Sequence, residues 1–383
     1  MLSAFAVVSV MNGLVAQAET DEQHRLVVTS IGAASPAMAA AVARGLGTPV
    51  PQVVTALYRS PAVLVDRAAP ATARQMALLL SDLGFRAHAE PESRPQPAPP
   101  HLRDVALHLA EPRAAPAAAR ALAAFTAMTE AAALEMILTP PGLVLGAVSD
   151  ATADALAARL PDGVELTRSR PEDASYHVFL LEGAAVLRQR LMADLAPLGV
   201  PSDAAPGLVA ADVPHAAARD LWRRHGAGGV LRVVNTDFLR YDLVLEAAPP
   251  GAAQDPAVRQ ALFSEAGMPG EVVPDVLAAL PVTLSEGVAH RDLGQRMAAL
   301  AGAGLSVRAE LATFQLPGLR IEGADDRDAL ATTLRALGSL AADAPLPRLP
   351  FDLDGPLTEP RARFVAAQLA DAGARVRVLR GSS

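Results

Sequence analysis

Apolar and polar positions along the chain fall into one recurring phrase: apolar residues three and four apart, a glycine, then a short alternating stretch. Ala73, Met76, Ala77, Leu80 and Leu83 share one helix face. Gly84 breaks that run, and Phe85 to Glu90 reads as a strand. The phrase returns from Leu293 to Gly304-Leu305-Ser306-Val307-Arg308-Ala309, and most cleanly from Arg363 through Leu369 to Gly373 and Ala374 to Val378. Weaker copies close at Gly163-Val164-Glu165-Leu166 and at Gly228-Gly229-Val230-Leu231. The turn glycines 84, 163, 228, 304 and 373 lie on average about 72 residues apart, the period of a string of small repeated units.

Each unit reads as strand, helix, helix, strand, helix, strand. In the first, Arg25 to Ile31 is a β-branched strand, and Ser35-Pro36 is an N-cap and first-turn proline for a helix ending near Gly47. Pro51 to Tyr58, Ala62 to Val65 and Pro70 to Leu83 follow as helix, strand and main helix. The expected division is a leader at 1–24 and repeats at 25–91, 104–170, 171–236, 237–311 and 312–383, with a Pro-rich linker at 92–103. The third repeat is shortened, Pro201 to Gly207 standing where its middle helix belongs. In the fifth, Ala344 to Pro350 is too proline-rich for a helix. The expected fold class is α+β: about five tandem small domains, each a three-stranded antiparallel sheet with helices on one face.

Composition narrows the function classes. Hydrophobic residues make up 51% of the 383 but aromatic residues only 3%, so the cores are built of Ala, Leu and Val. The chain has no lysine; arginine carries all the positive charge, and the net charge is −8. That speaks against a nucleic-acid partner, which calls for a concentrated basic face. It also removes a phosphate-loop or Schiff-base lysine. With no cysteine there is no disulfide, thiolate metal site or thiol nucleophile. Leu2 to Val15 is apolar and Ala16-Gln17-Ala18 precedes Glu19, the outline of a secretory signal lacking its charged start. Cleavage after Ala18 would place the chain in the bacterial periplasm, and its absence in the cytoplasm. No other stretch has the apolar length of a membrane span.

The first and fourth repeats resemble the C-terminal domain of the bacterial ribosomal stalk protein, a fold class that includes the N-degron adaptor of the Clp protease. The residues concerned are Gly45-Leu46-Gly47, Pro61-Ala62-Val63, Ala73 to Met76 and Leu83-Gly84-Phe85-Arg86-Ala87. Their counterparts are Val258, Gly267, Val276-Leu277, Pro281-Val282, Leu293 and Gly304-Leu305-Ser306-Val307. The resemblance implies the three-stranded sheet with helices on one face. The stalk's basic, lysine-bearing helix is not reproduced, because Ala37 to Leu46 carries only Arg44. Ala73 to Glu90 and Ala362 to Val378 are also similar to the second half of the SPOR domain of cell envelopes.

Candidate chemistry is sparse, and the expectation is no catalytic residue, no cofactor and no bound metal. His290-Arg291-Asp292 has the letters of a kinase catalytic loop without its Asn, glycine loop or lysine, and reads as the start of the fourth main helix. Asp352-Leu353-Asp354-Gly355 lacks the later ligands of a calcium loop and reads as a turn. Pairs such as His101 and His108, or His215 and His225, lack ligand spacing. Gly226-Ala227-Gly228-Gly229 leads into a strand and not a helix N-terminus, so it is a turn and not an anion site. Trp222, Arg223 and Arg224 are the candidate interface, with burial of Trp222 in the core as the plainer reading. The leading expectation is a non-enzymatic scaffold or adaptor for unidentified protein partners. The alternatives are an exported SPOR-like protein binding peptidoglycan, and a hydrolase with a site between domains.

Overall fold

The computed structural model describes residues 23–180, 185–199 and 207–379. The apolar leader with Ala16-Gln17-Ala18, and Pro201 to Pro206, lie outside them. Five separate three-stranded antiparallel sheets follow one another, and in every one the opening strand is central. The first repeat comprises β1 (His24–Ser30), α1 (Pro36–Leu46), α2 (Val50–Tyr58), β2 (Ala62–Ala68), α3 (Pro70–Asp82) and β3 (Arg86–Pro91). The second keeps that order: β4 (Leu102–Leu109), α4 (Ala115–Thr126), α5 (Glu130–Leu138), β5 (Leu143–Ser149), α6 (Asp150–Ala157) and β6 (Val164–Ser169).

The third repeat has, among its described residues, one α-helix between its first two strands: β7 (Ser175–Leu180), α7 (Ala185–Leu195), β8 (Leu208–Pro214), α8 (His215–His225) and β9 (Leu231–Asn235). The fourth is complete, with β10 (Arg240–Ala247), α9 (Pro256–Ala266), α10 (Val273–Ala278), β11 (Val282–Ala289), α11 (His290–Gly302) and β12 (Ser306–Leu311). The fifth runs β13 (Gly318–Ala324), α12 (Arg327–Ala336), β14 (Phe351–Asp352), α13 (Glu359–Asp371) and β15 (Ala374–Leu379). Its proline-rich stretch 344–350 forms no helix. The contacts gather these repeats into two compact bodies: residues up to Ile137 with Leu143–Arg170, and Leu138–Gly142 with Pro171 onward.

Local chemistry accounts for the elements. The Ser35 side chain accepts the Met38 N–H at the start of α1, and Gly47 closes the helix with φ 65°. Alternation along each opening strand sends one set of side chains under the helices of the same repeat. Val178 and Leu180 thus join Leu191, Leu195, Ala218 and Leu221, and Leu243 and Leu245 join Val258, Leu262, Val273 and Leu300.

The other set lies on the outer face, which the second repeat covers in the first sheet and the fourth repeat covers in the third. Val27 is fully buried where α6 crosses β1. Phe179, Leu208 and Val234 pack against Leu239 and Tyr241, with Leu293, Leu311 and Phe314 around them. The outer face of the fourth sheet carries Arg308 paired with Glu246 at 2.7 Å and with Glu310 at 2.6 Å, and the fifth sheet is charged likewise. Its outer positions Arg320 and Glu322 are charged, pairing with Asp352 at 3.6 Å and Arg377 at 3.3 Å.

The recurring turn is a steric requirement. Gly84 has φ 96°, and a Cβ there would meet the Ala34 nitrogen at 2.9 Å; Gly304 has φ 79° with nothing nearer than Pro249 at 3.5 Å. In the third repeat the left-handed residue is Gly229 (φ 68°) and not the expected Gly228, because a 3₁₀ turn over Gly226–Gly228 lengthens the connection. Gly304→Ala should therefore cost about 1–2 kcal/mol from backbone strain alone. Gly84→Ala adds a backbone collision and should cost more, a ranking that chemical denaturation of the two variants checks.

Buried Arg25 fastens the start of the proline-rich linker. Its Nε donates to Glu90 at 2.7 Å, and Nη2 donates to the Pro95 and Arg94 carbonyls. Burial raises the Glu90 carboxyl, but hydrogen bonds and charge from Arg25 and His88 outweigh it and hold the group below its ordinary value. Because the folded value is the lower one, this stabilisation is present above the unfolded carboxylate range (about 4.3) and fades as pH falls through the folded value. Glu90→Gln should flatten the acid limb of a thermal-stability profile. Arg25→Ala, which strands a buried carboxylate, should cost about 3–5 kcal/mol at neutral pH.

Candidate functional site

The opening strands of the first four repeats each face a bulge in a neighbouring strand. Between the pairs Arg103↔Val148 and Val105↔Leu145, Asp104 faces two residues of β5; Asp242 in the fourth repeat and His177 in the third face two residues likewise. The second bulged residue is left-handed each time: Ala147 at φ 52°, Gly287 at φ 64°, Asp212 at φ 53°. Its N–H leaves the ladder and finds the side chain opposite. Ala147 donates to Asp104 Oδ1 at 3.0 Å, Gly287 to Asp242 Oδ1 at 3.0 Å, and Asp212 to His177 Nδ1 at 3.3 Å. Arg25 holds the same register position in the first repeat, between His24↔Ala68 and Leu26↔Val65, and turns its guanidinium to Glu90. One polar residue inside an apolar strand is thus a fixed part of four repeats.

In the third repeat this residue also meets the fourth. The His177 ring lies 5.4 Å from that of His290, edge to face. His290 is the first residue of α11, so the triplet His290-Arg291-Asp292 begins a helix as expected. The His290 ring lies 5.6 Å from that of Tyr241, and the third repeat repeats the pair, His215 stacking on Tyr176 at 5.8 Å. His177, Asp212 and His290 bring one ligand atom each within 4.8 Å of one another. His177 is buried, Asp212 exposed and His290 between. The Nδ1 of His290 is buried with no hydrogen-bond partner.

Burial and the Asp212 carboxylate shape the electrostatics around His177 and Tyr241. Burial pushes the His177 imidazolium below its usual range; Asp212 opposes that shift and His290 adds to it. Burial, with the Asp212 carboxylate second, pushes the Tyr241 hydroxyl up to about 12. The burial of His177 thus favours its uncharged imidazole.

The remaining candidates are structural. Asp352 ends β14 against Arg320, and Gly355 turns the chain at φ 79°. The segment Gly226–Gly229 is a turn into β9. His225 pairs with Asp194 at 2.8 Å. Trp222 is 50% exposed, so the core reading does not hold for it, and Arg223 and Arg224 beside it are also exposed. Its indole lies on Gly226, where a Cβ would approach ring atoms to 2.7 Å. Arg223 pairs with Asp220 and Arg224 with Asp194.

In the first body a cleft of about 830 Å³ lies among Thr29, Ser30, Gly32, Arg86, Asp154 and Arg159. Its polar groups already bind the repeats together. Arg159 donates to the Gly32 and Ala34 carbonyls and lies over the Phe125 ring at 4.9 Å, and Asp154 pairs with Arg168.

Sequence reading missed the bulge anchors and the three-residue cluster. The cluster's members come from three elements of two repeats, beyond any short motif. The available signal was register: aligning the opening strands sets His177 where Asp104 and Asp242 stand. The chain matches no family model, no curated protein and no solved structure.

Asp242→Ala leaves the Gly287 N–H without its anchor and should cost about 1–3 kcal/mol. His177→Asp rebuilds the sister arrangement and should cost far less. Urea melts of the two variants side by side decide the ranking.

Proposed function

We propose that the chain is a non-enzymatic tandem-repeat scaffold that engages a protein partner. The observation that carries this reading is the repetition itself. Five sheets share one topology, and the outer apolar faces of the first and third sheets are occupied by the repeat that follows. Polar groups at the bulges are engaged within their own sheets, and Arg159 in the first body's cleft ties the second repeat to the first. In tandem-repeat proteins stability comes largely from contacts between neighbouring units, which leaves surface positions free to diverge.

Among the described residues no single helix is long and apolar enough to cross a bilayer. The surface best suited to a partner is the exposed side of α8. A half-exposed Trp222, fixed against Gly226 and flanked by arginines, has the composition of an interface anchor. A partner presenting an apolar side chain framed by carboxylates fits that surface.

Trp222→Ala should leave stability within about 0.5 kcal/mol, as an exposed position does. It should also abolish capture of a partner from extract of the source cells, and direct binding of that partner once purified. Gly226→Ala, which displaces the indole, should weaken the same binding. Turnover by the purified chain, abolished by a single substitution at His177, Asp212 or His290, would refute the scaffold reading.

A further inference from the structure

We propose that His177, Asp212 and His290 form a binding site for a divalent transition-metal ion, zinc being the best fit, at the seam between the third and fourth repeats. Two imidazoles and one carboxylate are a donor set that suits zinc and its borderline neighbours. The three donors come from β7, the β8 bulge and the first turn of α11, so an ion there ties two repeats that are otherwise joined by apolar packing.

Two observations point to a ligand beyond proximity alone. The first is the His290 Nδ1, buried and without a hydrogen-bond partner. A buried nitrogen in that state calls for an explanation such as a bound ion. The second is the departure of the third repeat from its sisters. Where they pair an aspartate with Ala147 or Gly287, it has a histidine and Asp212. The histidine makes the poorer anchor, at 3.3 Å against 3.0 Å, so serving the bulge does not account for it.

The chemistry is consistent. An amide only donates, so the His177 Nδ1 carries a lone pair, and the ion takes that lone pair in exchange for the long Asp212 contact. A tetrahedral ion with bonds near 2.1 Å holds its ligands roughly 3.4 Å apart. The donors stand within 4.8 Å, so side-chain rotation of about 1.4 Å at most completes the site. Exposed Asp212 leaves an approach from solvent and a fourth position for water.

The test uses the full chain stripped with chelator. Cobalt titration should give the visible bands of a tetrahedral site at one equivalent per chain, and zinc should displace it and raise the melting temperature. Asp212→Ala copies Ala147 at the same left-handed position, so it keeps the fold. It should weaken cobalt binding about tenfold or more, at least the loss that removing an outer-shell partner causes. His290→Ala should do the same. The proposal is overturned if millimolar zinc leaves the wild-type melting temperature unchanged and cobalt gives no such bands. It is equally overturned if folded Asp212→Ala binds cobalt as tightly as wild type.

Discussion

The structure depends on covering the apolar outer faces of the first and third repeats. A three-stranded sheet of this size has helices for one face only, and the opposite face carries residues such as Val27 or Phe179. Leaving a phenylalanine of that kind in water forgoes about 1.5–3 kcal/mol, a large fraction of what a small domain has in reserve. Cores made mostly of alanine, leucine and valine have little surplus to offset such a loss. Packing onto the next repeat is therefore a condition of folding for the first and third repeats. The fifth sheet shows the converse: with paired charges on its outer positions, it is not built to receive an apolar neighbour.

The chain meets a second constraint with polar residues. In the first four repeats a strand flanking the opening strand carries a bulge. The bulge that bends it ejects one backbone N–H from the ladder. An aspartate opposite satisfies that group in the second and fourth repeats, and a histidine does so in the third. The first repeat uses the position for Arg25, turned to Glu90 and to the carbonyls at the head of the linker. Repeats with one topology thus diverge at the one point where the fold requires a polar side chain, and divergence there is tolerated because several chemistries can meet the requirement.

This pattern explains which features were legible in the sequence. The helix–glycine–strand phrase is visible because periodicity and a left-handed turn are local properties; Gly84, Gly304 and Gly373 are where they were expected. The loss of a helix in the proline-rich part of the fifth repeat follows equally from local backbone chemistry. Bulge anchors leave no such trace. A single Asp or His within an apolar strand acquires meaning only from the residue across the ladder, and register is a tertiary property. Gly229 in place of Gly228, and the exposure of Trp222, were hidden for a related reason. Both depend on how a glycine-rich turn resolves into a 3₁₀ segment with the indole lying on it.

The same reasoning separates structural polar groups from chemically available ones. A buried polar residue that completes a bulge or pins a linker is consumed by the fold; Asp104, Asp242 and Arg25 belong to that class. Arg159 is consumed as well, between two carbonyls and an aromatic ring. The seam between the third and fourth repeats differs because its requirements are exceeded: one donor serves the bulge, yet three converge there. An excess of donors over structural need distinguishes a site from scaffolding. By the same measure the exposed side of α8 is surplus, since neither Trp222 nor its flanking arginines serve the cores that hold the sheets together.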